Sequence, residues 1–433
     1  MKEALKNREL KDRFLYSFMI MVIVRVLTQI PMPGVNTSFL AEKFSGNDAL
    51  GFLGIMTGGS FERFSVMALS ITPYITSSII MQLMTIVFPS LEEMQKEGET
   101  GRKKFQKITQ YVTVGLSLAE AGAMTFAYGK NMLVDTGVLN VLVIISSLTA
   151  GSMILVWLGG QATEKGLGNG ISLILMVNIA SSLPSQLASL WSILSSGTNI
   201  GVKVLYVFIA AAVITGMVVF AVYLQEGERK IPVQHSQKIS GNKMTGSRTG
   251  DLPVRISAAG VIPVIFASSL MSMPSLVTTL AGKTPGGIPG RLLAVCSQGR
   301  WFDPADPVPT LGFVLYGALV IFFAYYYTAV TFSPLEVAEN LKKSGGVVPG
   351  IRPGTPTRRY LESILRYTVF FGAAGLLFLC AVPMAVSGAL NVSLSFGGTS
   401  LVIIVAVISE MRAQAKSILA AKKVKTFLSI THV

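Results

Sequence analysis

Residues 66–88 read VMALSITPYITSSIIMQLMTIVF, and this stretch decides the fold. It is mostly apolar, and a helix needs about 20 such residues to cross a bilayer. With it, ten stretches qualify: 14–33, 66–88, 108–128, 138–158, 169–190, 202–224, 258–281, 310–332, 362–386 and 399–419. The expected class is an all-α, multi-pass membrane protein. Composition agrees. The 433 residues are 51% apolar and 13% charged, where a soluble domain carries about 25% charged residues. Mean hydropathy is +0.59. These values exclude a disordered chain, a fibrous protein and an ordinary cytosolic enzyme. The first span does not read as a cleaved signal peptide: it carries Arg25 and runs into Pro31-Met32-Pro33-Gly34, without a small-residue cleavage site.

Lys and Arg set the orientation. The loops on one side, together with both termini, hold 27 of them, and the opposite loops hold 7. Basic residues mark the cytoplasmic face, so both termini are expected there, as an even span count requires. The net charge of +14 also suits an anionic lipid surface. The long outer loops are 34–65 and 282–309. The inner ones are 89–107, 225–257 and 333–361. The last two are basic, rich in Gly and Pro, and too short for separate soluble domains. They read as loops projecting from one membrane domain.

Ten spans divide into residues 1–190 and 191–433. The second span of each half has a similar string, Pro73-Tyr74-Ile75-Thr76-Ser77-Ser78-Ile79 and Pro263-Val264-Ile265-Phe266-Ala267-Ser268-Ser269. Five spans per half would give the halves opposite topology, as in inverted repeats that meet at a midplane pathway. Pro and small residues are also common in any membrane helix, so both readings stand. Residues 51–65, GFLGIMTGGSFERFS, are too short to span. Either a short re-entrant helix filling a cavity or an amphipathic loop on the outer surface fits.

Gly58-Gly59-Ser60-Phe61-Glu62-Arg63-Phe64-Ser65, followed by Thr72 to Leu83, resembles the signature of the SecY/Sec61-alpha family, whose members form the central channel of protein translocases. Further similar motifs run in order along the chain: Lys96 to Lys104, Gly166 to Ser172, Ala259 to Pro263, Gly350 to Gly354 and Gly397 to Ser400. The resemblance implies an hourglass pore between two five-span halves. Its waist would be a ring of Ile75, Ile79, Ile171, Leu175, Ile265 and Ile403. Ile75/Ile79 and Ile171/Leu175 are i,i+4 pairs and share helix faces, a spacing that ordinary packing also produces. Such a ring excludes water when closed and demands no hydrogen-bond geometry of what passes.

The resemblance further implies a plug at about 51–62, with Phe52, Leu53, Ile55 and Met56 as its apolar contacts. It implies a lateral gate between the second and third spans and the seventh and eighth, with Gln82 and Ser257 as polar residues holding the seam. Ser257 departs from the family, which often has Asn there. The two basic loops would dock the motor ATPase SecA or the ribosome through Lys243, Arg248, Arg352, Arg358 and Arg359, with Arg352 foremost. Asn242-Lys243 stands where many members have two basic residues. The implied partners are the SecE and SecG subunits, SecA, the ribosome, signal-peptide-bearing preproteins and a bilayer with anionic lipids, but no DNA. The implied location is the bacterial cytoplasmic membrane.

No cofactor or metal is expected. Cys296, Cys380, His235 and His432 form no ligand cluster, and no phosphate-binding Gly-x-x-x-x-Gly-Lys-Ser/Thr motif occurs. Arg25, Glu120, Arg366 and Glu410 are charged residues in or near spans, where such groups are functional candidates, but their order suggests no proton relay. An enzyme is improbable. A small-solute transporter is the rival reading, since inverted repeats suit it. However, the midplane candidates are Ile and Leu rather than polar. A membrane scaffold with no pathway is the third.

Overall fold

The computed structural model describes residues 8–35, 54, 56–133, 137–195, 200–235, 239–240, 243–244, 249–257, 259–280, 288–296, 301, 310–390 and 398–431. These are mostly helical. In chain order the helices are α1 (Arg8–Leu27), α2 (Thr72–Val87), α3 (Pro89–Lys96), α4 (Glu99–Met132), α5 (Val138–Lys165), α6 (Gly170–Ser195) and α7 (Ile200–Glu226). After a basic segment come α8 (Ile262–Leu280), α9 (Ile288–Cys296), α10 (Thr310–Thr331), α11 (Pro334–Lys343), α12 (Thr355–Leu390) and α13 (Gly398–Thr431). Each apolar stretch contains a helix. Among the described residues three helical segments, Val138–Lys165, Thr310–Lys343 and Thr355–Ala385, are long and apolar enough to cross a membrane unaided. The second apolar stretch is helical only from Thr72 onward, and the residues before it form turns.

Local chemistry explains the boundaries. α2 and α3 bend by 112° at Phe88, because Pro89 forces its predecessor out of helical geometry. Phe88 is extended at φ −111°, ψ 105°. Pro73 and Pro263 occupy the first turns of α2 and α8, where a missing N–H costs nothing. The two similar strings thus start two helices in the same way. At the start of α6 the Asn169 side chain accepts from the N–H of Ile171 at 3.0 Å, and the Gly170 N–H donates to the Thr163 hydroxyl at 2.8 Å. The preceding turn is tied to α1 through Leu167 N–H donating to Ser17 (2.9 Å) and to α13 through Gly168 N–H and Gln414. Gly170 is required at this turn, since a Cβ there would lie 2.0 Å from the Gly159 carbonyl.

The basic segment 225–257, expected as a loop, contains a hairpin. β1 (Glu228–His235) pairs antiparallel with β4 (Thr249–Arg255), and short β2 (Ile239–Ser240) pairs with β3 (Lys243–Met244). β5 (Gly346–Val347), from the second basic segment, adds to the other edge of β1. The two loops are therefore one unit. Period-2 alternation drives it: Ile231, Val233 and Val254 are buried on one face and join Val348, Leu361, Ile364 and Leu365 in a separate apolar cluster.

Val233→Asp places a carboxylate in that cluster, at a cost of several kcal/mol. The hairpin is expected to become protease-sensitive at Arg229 and Lys230 while helical circular dichroism is retained. Unchanged cleavage would contradict the packing described.

Candidate functional site: an apolar waist below a polar vestibule

The six aliphatic side chains expected at a constriction all belong to the main apolar cluster, and four of them, Ile75, Ile171, Leu175 and Ile265, line one cavity. Ile75 and Ile79 extend from α2, Ile171 and Leu175 from α6, Ile265 from α8 and Ile403 from α13. Five are buried, with exposures between 1% and 5%, and half-buried Ile171 packs against them in the same cluster. Above them lies a cavity of about 360 Å³. Its floor includes Ile75, Ile171, Leu175 and Ile265, and its walls carry Gln82, Gln106, Gln110, Asn169, Ser172 and Tyr327. A second cavity of about 520 Å³ shares Asn169, Ser172, Ile262 and Tyr327 with the first. It is lined by charges of both signs: Glu226, Glu228 and Glu410 against Arg255, Arg412 and Lys416. Glu226 and Arg412 pair at 2.5 Å, joining α7 to α13. The two cavities adjoin on a polar border, the second reaching the base of the basic hairpin at Glu228 and Arg255 and the first including the aliphatic side chains of Ile75, Ile171, Leu175 and Ile265.

On the far side Met56 is buried in the same cluster as the ring. Phe52, Leu53 and Ile55 lie outside the described residues. The segment from Met56 to Ile71 is compact. Met56 and Thr57 are helical, then turns run to α2, with Phe64 and Ser70 in the left-handed region at φ 44° and 51°.

Gln82 and Ser257 are not bonded to each other. The Ser257 hydroxyl donates to the Gly260 carbonyl (3.1 Å) within its own turn, facing α10 and α12. The Gln82 side chain donates to Ser78 (3.2 Å). The seam between α2 and α10 is instead joined by Tyr326, which the sequence reading passed over. Its hydroxyl donates to the Gln82 carbonyl at 2.5 Å and lies 2.9 Å from the Thr85 hydroxyl. Its ring is parallel to that of Phe322, 6.2 Å away. The signal was present in Tyr325-Tyr326-Tyr327, phenols inside an apolar span, each needing a partner.

Arg352 is exposed on the turn between β5 and α12. Its carbonyl accepts from Thr357 (2.9 Å), and Gly350 and Gly354 flank it at φ +79° and +103°. Arg358 pairs with Glu362 at 2.7 Å, and Arg359 is exposed. Lys243 lies in β3, and Arg248 lies outside the described residues. Arg25 bonds Thr28 and the Gly58 carbonyl.

The SecY family profile matches residues 65–412. The chain belongs to the SecY family. The protein translocase subunit SecY of Pseudomonas aeruginosa is 37% identical, over 97% of this chain and 93% of that protein. Its Thermotoga maritima counterpart is 35% identical, over 99% and 97%. The fold is similar to that of a solved protein conducting channel, with a TM-score of 0.68 at 20% identity over 94% of this chain and 92% of the other. It is also similar to a SecY structure concerned with a plug domain that stabilises the closed channel, at 0.65 and 19% identity over the same shares. As a family member the chain is a membrane-embedded protein-conducting channel, not a member of an enzyme family.

Tyr326→Phe and Thr85→Val each remove one side of the seam contact. Hydrogen bonds between membrane helices contribute about 0.6 kcal/mol, at most about 1.7. In reversible unfolding of the purified protein the double variant is expected to lose less stability than the sum of the two single ones. Strictly additive losses would show that the hydroxyls do not interact.

Proposed function

We propose that the chain passes unfolded secretory polypeptides through the ring of Ile75, Ile79, Ile171, Leu175, Ile265 and Ile403, and releases apolar segments sideways into lipid. The observation that carries this reading is a cavity with polar walls whose lining includes aliphatic ring side chains from α2, α6 and α8, with Ile403 of α13 in the same apolar cluster. A solute transporter would need polar groups there. Aliphatic carbon closes against water by dewetting and yields to any sequence. Lateral release is driven by burial of apolar surface, about 25 cal/mol per Å². The exit runs between α2 and α4 on one side and α8 and α10 on the other, with Gln82, Thr85 and Tyr326 along it and Ser257 at its margin.

In this reading ten spans form two inverted halves, 1–190 and 191–433, in a bacterial cytoplasmic membrane, with both termini cytoplasmic. The segment at about 51–62 is the plug, with Phe52, Leu53, Ile55 and Met56 facing the ring. Energy comes from partners. SecA or a ribosome docks on the basic unit built from β1, β4 and β5, through Arg352, Arg359, Lys243 and Arg248, and Arg358 contributes if Glu362 releases it. A solved Sec61 bound in a ribosome-channel complex shares the fold, with a TM-score of 0.64 at 18% identity. SecE and SecG complete the assembly in a bilayer with anionic lipid.

A secretory chain stalled in transit is expected to crosslink to cysteines placed at positions 75, 265 and 403. Crosslinks only to lipid-facing positions would overturn the central path. Ile75→Asn with Ile265→Asn is expected to leak ions at rest and to tolerate defective signal sequences. Loss of small-solute flux with secretion untouched would favour a transporter. Arg352→Glu is expected to slow motor-driven translocation by about tenfold or more, as reversing one interface charge does, with resting conductance unchanged. Full motor-driven rates would remove Arg352 from the docking surface.

A further inference from the structure

Met56 and Gly58 are held by their backbones. Asn178, on α6, is fully buried, and its amide nitrogen donates to the Met56 carbonyl and to the Ser70 hydroxyl, each at 3.1 Å. Arg25, in the last turn of α1, donates to the Gly58 carbonyl at 3.2 Å and to Thr28 at 3.2 Å. Gly58, at φ +63°, packs so closely on α6 that a Cβ would lie 2.8 Å from Ser181 Oγ and 3.0 Å from the Asn178 backbone. An amide buried among Leu175 and Ile179 is costly unless it is used. The Asn178 side-chain oxygen has no partner among the described residues, so what the residue supplies is its two donated bonds. Asn178 lies about 4.5 Å further along α6 than Leu175, at 1.5 Å per residue, directly beyond the waist.

We propose that Asn178 and Arg25 are positioning residues that seat Met56–Gly58 against the waist, and that this seat travels with residues 1–190 when the two halves part. It rests on the conducting-channel reading above. Both donors, and the Ser181 contact, precede residue 191. Separating α2 from α10 breaks none of these bonds. Release of the segment is then a second event, distinct from lateral opening, in which both carbonyls lose their partners together. An unpartnered buried carbonyl is costly enough to shift a population by about tenfold or more.

The test uses the reconstituted channel complex in proteoliposomes, with Cys296→Ser, Cys380→Ala and Met56→Cys. The readout is the rate of labelling by a membrane-impermeant thiol reagent. Asn178→Leu and Arg25→Met are each expected to raise the rate by about tenfold or more, whereas Arg25→Lys keeps it near the parent value. Tyr326→Phe, which loosens the seam, is expected to leave it unchanged. Gly58→Ala, strained at its positive φ and obstructed by α6, is expected to raise it too, and serves if Asn178→Leu fails to accumulate. Unchanged labelling in the Asn178→Leu, Arg25→Met double variant, or in Gly58→Ala, would overturn the seat. Exposure of Met56→Cys by Tyr326→Phe alone would overturn its independence from the seam. The Ile75→Asn, Ile265→Asn variant is the separate control: if it does not leak, the reading of Ile75 and Ile265 as the closure fails whatever the labelling shows.

Discussion

A closure made of aliphatic side chains must exclude water when empty and accept any side chain when occupied. Directional bonds could not do both, because a hydrogen bond or ion pair at the narrowest point would favour particular passengers. Dispersion and exclusion of water have no direction, so the waist can be tight without being selective. The rest of the structure supplies what such a closure lacks, a defined geometry. Ile75 and Ile79 sit where they do because Pro73 starts α2. Ile171 and Leu175 are set by the Asn169 cap and by ties from the same turn to α1 and α13.

Polar contacts are placed around the waist rather than in it. Gln414 holds the Gly168 turn on one side, Tyr326 meets Gln82 and Thr85 across the seam, and Asn178 and Arg25 grip the segment beyond. Each is a discrete contact that is either made or broken; the net gain from such a bond between membrane helices is small, about 0.6 kcal/mol on average, whereas leaving one buried partner unmade costs more. A few such contacts define a resting arrangement without making it hard to leave. Seam and seat use different donors on different helices, so the two need not yield together.

The sequence displays the membrane architecture openly, because length and apolar content are local properties. Four of the proposed ring residues, Ile75, Ile79, Ile171 and Leu175, were legible as i,i+4 pairs, whereas Ile265 and Ile403 were named only through the family motifs, which alone set any of the six apart from ordinary packing. The hairpin at Glu228–Arg255 was not legible: Ile231 and Val233 alternate over too few residues, and Pro232 and the surrounding charges resemble a loop. Tyr326 was hidden inside an apolar run, and its partner is 244 residues away in the chain. Asn178 was visible as a lone amide in Met176-Val177-Asn178-Ile179, but its targets are set by the turns before α2, where Ser70 takes a left-handed conformation that no local pattern announces. Gln82 was singled out for its side chain, whereas it is its backbone carbonyl that accepts from Tyr326 of α10.

The pairing of β1 with both β4 and β5 has a mechanical consequence. The turn bearing Arg352 is continuous with β5, and β5 is bonded to the strand that follows α7. The other end of the hairpin is anchored where Ile256 N–H donates to the Gly227 carbonyl at 2.9 Å. There Gly372 of α12 packs so closely that a Cβ would lie 2.5 Å from the Ile256 carbonyl. Both basic segments are therefore joined to each other and packed at the bases of α7, α8 and α12. Ile265 is on α8, one turn beyond its start. The N-terminal side of the ring, on α2 and α6, has no bond to the sheet among the described residues. The sheet thus ties both basic segments to the side of the proposed ring that carries Ile265, and the polar bonds described for α2 and α6 run to other elements.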